Sequence, residues 1–301
     1  MMKSWLTVPG VVLTLFLTFD QAPGNGNGAE AGLLARRYRE GQTLSYQMKA
    51  TNEERGRKLA YEIQADGVVK KNDNGFVEEF AWSHLIVNGA PRPLSPGSQA
   101  FRQMLSMEPN RNAGMPDLSK VDPILIGPIT DTLTFYADLL IARTQGRLAQ
   151  INDHFYYQHG APASWADGQY VILGQSSIDF DVTLTAIDRT ERYALVTVKH
   201  VPPATTQVKL PAEWMKASVA DTANNWVQVI KQGEGRYVAS VGKETFLAEI
   251  KLSLDDGRIL SATLDNPVEV RERQCTDAAL TQCGEPERYS ILRRISVTSS
   301  E

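Results

Sequence analysis

The stretch 152–168, NDHFYYQHGAPASWADG, holds the closest gathering of chemically capable side chains. Asp153, His154, His159 and Asp167 form its candidate polar site. Two imidazoles and a carboxylate can hold a transition metal, and a histidine beside a carboxylate can move a proton. His154 and His159 are five positions apart, which places them on a common face of neither a helix nor a strand. A loop packed by its aromatic rings is therefore the plainer account. Ser240-Val241-Gly242-Lys243 satisfies S-x-x-K, but that chemistry needs the serine at a helix start with the lysine one turn on. Here the tetrad falls between two strand patterns, and neither S-D-N nor K-T-G is present. Gly242-Lys243 fails as a phosphate loop, because Glu244 stands where a metal-binding hydroxyl belongs. No G-x-S-x-G, H-E-x-x-H or G-x-G-x-x-G occurs. Asp179 and Asp181 share one strand face, as a glycosidase pair might, yet a solvated face explains them as well. His84 and His200 fall on apolar strand faces and read as structural. No catalytic residue, cofactor or metal is assigned, and the chain is read as non-enzymatic.

The two cysteines, Cys275 and Cys283, enclose the short segment TDAALTQ. With no histidine nearby they cannot complete a zinc site. A disulfide that pins the last hairpin is expected, and that bond implies an oxidising compartment.

The elements that must position these residues are mostly strands. Leu44, Tyr46, Met48 and Ala50 alternate with polar neighbours, as do Leu59, Tyr61, Ile63 and Ala65, then Phe76, Phe80, Trp82 and Ile86. The pattern returns with Phe180, Val182 and Leu184, with Ala194, Val196 and Val198, and with Ala248, Ile250 and Leu252. It closes with Leu260, Ala262 and Leu264 and with Tyr289, Ile291, Ile295 and Val297. Period-two alternation with short turns predicts antiparallel sheet with one wet face. Asp256-Gly257 predicts a two-residue hairpin turn.

Between the strand groups, prolines 91, 93, 96, 109, 116, 123 and 128 break the strand pattern. Ser95-Pro96 predicts a short helix with Phe101, Met104 and Leu105 on one face. A longer helix is expected over about 129–150, started by Gly127-Pro128, with Asp131 and Asp138 interrupting its apolar run.

The N-terminus carries Lys3, an apolar run from Trp5 to Phe19 and a small-residue stretch containing Ala29-Glu30-Ala31. The run is short of the roughly 20 residues of a membrane span and matches a secretory leader. Residues 1–31 are therefore expected to be a signal peptide and linker, with no integral span after cleavage. The remaining chain is expected in the periplasm or outside the cell.

The net charge of −4 lacks the basic footprint of a nucleic-acid binder, and the pairs Arg36-Arg37, Arg57-Lys58 and Arg293-Arg294 are too dispersed to supply one. Glu53-Glu54 and Glu78-Glu79 read as surface charge. The expected fold is β-rich α+β: an antiparallel curved sheet of about ten strands, half-barrel-like, with two inserted helices, over residues 32–301. The alternative is two β modules, 33–90 and 168–301, joined by a helical block at 91–167. In architecture the arrangement resembles the half-barrels of periplasmic lipoprotein carriers and related lipid-binding proteins. Function is read accordingly as binding or carriage of an apolar or lipid-like ligand in the cell envelope. Tyr46, Met48, Phe80 and Trp82 form the candidate ligand face. An envelope assembly factor with a protein partner is the alternative, and an enzyme built on the His154–Asp167 loop is third.

Overall fold

The computed structural model describes residues 32–73, 75–108, 117–144, 148–158, 171–172, 179–201, 210 and 212–301. The expected leader, His159 and Asp167 lie outside these residues. The alternating segments form strands. β1 (Thr43–Glu54) and β2 (Arg57–Asn72) make a hairpin turned by Arg55-Gly56, both at positive φ, 50° and 72°. That geometry matches the right-handed twist of the paired strands. β3 (Gly75–Val87) follows β2, and the short strands β4 (Ala90–Pro91) and β5 (Gln103–Leu105) pair with β3. After the helical block come β6 (His154–Gln158), β7 (Val171–Ile172), β8 (Asp179–Asp188) and β9 (Tyr193–Val201). The last five are β10 (Trp226–Gly233), β11 (Arg236–Glu244), β12 (Phe246–Ser253), β13 (Ile259–Cys275) and β14 (Glu287–Ser300).

Among the described residues these make one antiparallel sheet of fourteen strands, with the main path β4-β3-β2-β1-β14-β13-β12-β9-β8-β6. The sheet has more strands than the ten or so expected: ten lie on this path, and β5, β7, β10 and β11 sit on branches. The sheet forks at β13. Its first part, Ile259 to Asp265, pairs with β12, and its second, Val268 to Cys275, pairs with β11. Thr245, between β11 and β12, donates its N–H to Pro267 at 3.2 Å and marks the fork. One branch continues through β9, β8 and β6, the other through β10 and β7.

Two helices interrupt the strands. In α1 (Pro96–Ala100), Ser95 caps the start by accepting from the Ser98 N–H, as expected. The helix ends sooner than its sequence suggested. Gln103–Leu105 leaves it to pair with β3, so Leu105 is buried while Met104 is exposed. α2 (Pro123–Thr144) starts before the expected position and carries Pro128 inside it. Pro128 withholds one N–H from the ladder, while the hydroxyls of Thr130, Thr132 and Thr134 bond back to carbonyls one turn earlier. Burial on all sides outweighs the lost bond, because every residue from Pro128 to Ala142 is buried. Pro123–Arg143 is long and apolar enough to cross a membrane, with mean hydropathy 1.4, yet it lies inside this fold. A helix apolar all round is suited to either place.

One hydrophobic cluster joins α2 to Tyr46, Met48, Ile63, Phe80 and Trp82 of the first strands and to Val182, Val196, Ile250, Leu264 and Val297 of the later ones. Two local expectations change. His84 has φ 50° at a bulge in β3, so Leu85 rather than Ile86 turns inward and His84 is exposed. Asp256-Gly257 does belong to a hairpin, but β12 and β13 are joined by five residues, 254–258. The reason is a clasp. Arg36, Gln42 and Arg258 all reach the Asp256 carboxylate, at 3.4, 3.1 and 2.9 Å. Gly257, at φ 70°, lies so close to the 32–42 segment that a Cβ would stand 2.2 Å from Ala35 O.

Cys275 and Cys283 are bonded, with Cα atoms 4.0 Å apart. Thr276 N–H to Gln282 O and Gly284 N–H to Gln274 O continue the pairing on both sides of the bridge. A stable disulfide fits an oxidising, non-cytoplasmic compartment.

Candidate functional site

The inward faces of β1, β3, β13 and β14 and the surface of α2 enclose a narrow crevice. Tyr46, Met48, Phe80, Trp82, Ile259 and Val297 line it from the sheet, with Thr132, Phe135 and Tyr136 facing them from α2. All four residues of the expected ligand face therefore meet in one place. They are also buried: Met48 is 1% exposed, Phe80 0% and Trp82 5%. The free volume is only about 10 Å³, about the space one water occupies. The interior is filled by α2.

Two polar clusters fasten α2 to the sheet. In the first, Glu78 of β3 accepts a short hydrogen bond from the Tyr46 hydroxyl at Oε1 and one from Tyr136 of α2 at Oε2, 2.9 Å. Burial raises the Glu78 carboxyl against the opposing effect of the Tyr46 bond. Burial likewise raises both tyrosines, with the Glu78 charge adding to it. Gly67 of β2 leaves the room, since a Cβ there would stand 3.0 Å from Glu78 Oε1. In the second cluster, Asp131 of α2 pairs with Arg293 of β14 and accepts from the Tyr61 hydroxyl at 3.0 Å. Burial raises the Asp131 carboxyl in spite of Arg293. For Arg293, burial alone would lower the guanidinium, but Asp131 and Tyr61 raise it. A third tie is uncharged: Trp82 donates to Gln103 Oε1 at 3.2 Å, and Gln103 Nε2 donates to Ile129 O of α2 at 2.9 Å.

Some inward polar atoms stay without a partner, namely Asn52 Oδ1, Glu244 Oε2 and, at the last turn of α2, Arg143 Nη1. Burial raises the Glu244 carboxyl to about 7 and lowers Arg143 to about 10.

The other sequence candidates fall elsewhere. His154, on β6, is half-exposed and holds Asp181 of β8 at 2.7 Å through Nε2. The adjacent Asp153 does not join it. Its carboxylate accepts the Ala149 and Gln150 N–H groups at 2.7 and 2.9 Å, closing a turn, and these bonds lower its pKa. Among the described residues no three His, Cys, Asp or Glu side chains gather as a metal would require. Ser240 is inside a strand and donates to Glu272 at 3.1 Å, with no lysine one helical turn away.

Three charged residues that organise the interior had other readings from the sequence: Glu78 as surface charge, Asp131 as an interruption of the helix, and Arg293 as part of a dispersed basic pair. A signal for two of them was present. Glu78 is in phase with Phe80 and Trp82, and Arg293 with Ile291 and Ile295.

Fold and site together define a class: an open antiparallel sheet curved around an internal, largely apolar helix. No family model matches the sequence, and no curated protein matches it. Among solved structures, a lipovitellin chain studied for its lipid–protein interactions aligns over 88% of this chain and 26% of its own, at 10% identity and a TM-score of 0.45. This chain thus spans about a quarter of that one. A provisionally named AttH from Nitrosomonas europaea aligns over 92% of this chain and 99% of its own, at 9% identity and a TM-score of 0.15. Likenesses of this size carry no functional argument, which rests on the side chains alone.

Proposed function

We propose that residues 32–301 act as one exported, non-enzymatic binding unit of the cell envelope, and that its ligand is an apolar or lipid-like molecule that exchanges places with α2. The observation that carries this is α2 itself. It is buried from Pro128 to Ala142, it fills the concave side of the sheet, and most of the side chains it packs there are apolar, with polar ties that include Asp131 and Tyr136. A helix held by packing in a preformed apolar trough can be replaced by any chain that buries similar area, since the hydrophobic term is not directional. The unpartnered Arg143 Nη1 at its end works against the docked state, because a buried donor without an acceptor costs free energy. β1 pairs directly with β14, which supports one unit rather than two modules. The residues expected to face the ligand are Tyr46, Met48, Phe80 and Trp82.

Native mass spectrometry of the full chain purified from its own cells tests this. A bound lipid-like mass, lost on solvent extraction and regained on adding the extract, is the expected result. Protein that is always bare, and that takes up no apolar molecule after extraction, overturns the binding reading. A stable partner chain on such bare protein favours an assembly role.

A further inference from the structure

Two of the charged ties of α2 differ in what remains on the sheet if the helix leaves. At Glu78 the sheet keeps the Tyr46 hydroxyl as a donor, and the carboxyl, already raised by burial, can take up a proton. That end needs no charged replacement. At the other end the sheet keeps Arg293 and Tyr61, two donors that converge on the point where the Asp131 carboxylate sits. Arg293 is only 16% exposed in its side chain, and a guanidinium cannot shed its charge by deprotonation. A mostly buried cation left without its anion is strongly unfavourable.

We propose that Asp131 stands in for the anionic head group of a single-chain amphiphile, and that Arg293, with Tyr61, is the receptor for that head group. This rests on the helix-exchange reading above and adds the ligand's charge and its direction in the trough. The surroundings are polar. Asn52 and Asn266 face Arg293 as its strand partners on β1 and β13. Asn266 donates to Glu244 Oε1 at 3.1 Å, while Glu244 Oε2 and Asn52 Oδ1 are buried without partners. Glu244, with its carboxyl near 7, carries a proton over a wide range below neutrality and can then donate. Gly127, one turn before Asp131, lets the helix approach: a Cβ there would lie 3.3 Å from the Tyr61 hydroxyl. Beyond this polar belt the inward positions of β14 are Ile295 and Val297, and Val297 already lines the crevice with Met48 and Trp82. Four residue steps along the strand separate Arg293 from Val297, about 14 Å at the usual rise. The head group thus lies at Arg293 and the chain runs toward Phe80 and Trp82, along the path of α2 from Asp131 onward.

The test is binding by solvent-extracted full-length protein to three molecules of one chain length: palmitate, hexadecyl phosphate and hexadecanol. Both anions are expected to bind at least tenfold more tightly than the alcohol, and the tighter of the two tells a carboxylate head group from a phosphate. Asp131→Asn, which weakens the internal competitor, is expected to tighten anion binding several-fold. In the paired variant Asp131→Asn/Arg293→Met no charge is left buried alone, so folding is kept, and the preference for anions is expected to vanish while the alcohol still binds. If the wild-type protein binds hexadecanol as well as either anion, the head-group inference is wrong and the apolar trough stands. If none of the three binds, even to Asp131→Asn, helix exchange itself is wrong.

Discussion

Replacing Trp82 by alanine probes the packing of sheet against helix. Trp82 is 5% exposed, stacks near Phe80 with ring centroids 6.4 Å apart, and donates to Gln103, which in turn holds α2 at Ile129 O. Removing the indole takes away its transfer free energy and leaves a cavity, together typically about 3–5 kcal/mol for such a ring. It also strands Gln103 Oε1, so the upper part of that range is expected. Trp82→Phe separates the two effects, because it keeps most of the apolar volume and loses only the donor. Its expected cost is about 1–3 kcal/mol, the penalty for an orphaned buried acceptor. Adding Gln103→Leu to Trp82→Phe removes that acceptor, and part of the loss should return as a non-additive coupling. Urea unfolding with the disulfide kept oxidised reads all three, and the alanine variant should melt about 10 °C lower or more. A Trp82→Ala loss below about 1 kcal/mol would refute the packing, because a ring in that contact cannot be removed so cheaply. Equal losses for Trp82→Phe and the double variant would refute the role given to Gln103.

Other outcomes follow from single residues. Glu244 has its folded carboxyl raised from 4.5 to about 7; the folded state therefore holds the proton longer, and its stabilising effect is complete below pH 4.5 and lost as pH rises through about 7. Unfolding free energy should fall by about 3 kcal/mol across that window, and Glu244→Gln should flatten the slope; an unchanged slope would show that another group titrates. Gly257→Ala should cost more than the 1–2 kcal/mol of left-handed strain, since its Cβ also meets Ala35 O, and should free the 32–42 segment to proteolysis. Removing the Cys275–Cys283 bond by a double serine substitution should cost about 2.5 kcal/mol in the loop-entropy account. Thiol labelling of the unreduced, denatured native chain should find no reactive cysteine, and two labelled thiols would contradict the bridge.

The sequence by itself determined eight of the strands (β1–β3, β8, β9 and β12–β14), their antiparallel character and the disulfide, but not β4–β7, β10 or β11. These depend on short-range facts: alternation of side chains along an extended chain, and two cysteines close enough for one loop to close. It also picked out Tyr46, Met48, Phe80 and Trp82 as one face, because β1 and β3 keep strict phase up to Trp82. Beyond Trp82 the phase is broken by the bulge at His84, a backbone irregularity that no residue type announces. The start of α2 was misplaced for a similar reason, since a proline that ends a solvated helix is tolerated in one enclosed on every side.

Tertiary structure alone decided what the charged residues do. Glu78, Asp131 and Arg293 are typical surface types, and only the partners brought by β1, β2, β14 and α2 make their burial tolerable. Phase did hint at Glu78 and Arg293, but phase cannot name a partner some 160 residues away, such as Asp131 for Arg293. The polar stretch 152–168 shows the converse. Its local density suggested a site, yet Asp153 is taken by its own turn and His154 by Asp181 on the neighbouring strand. Proximity in sequence supplied candidates; the curvature of the sheet around α2 chose which charges face the interior, and burying a charge there is costly unless it is paired.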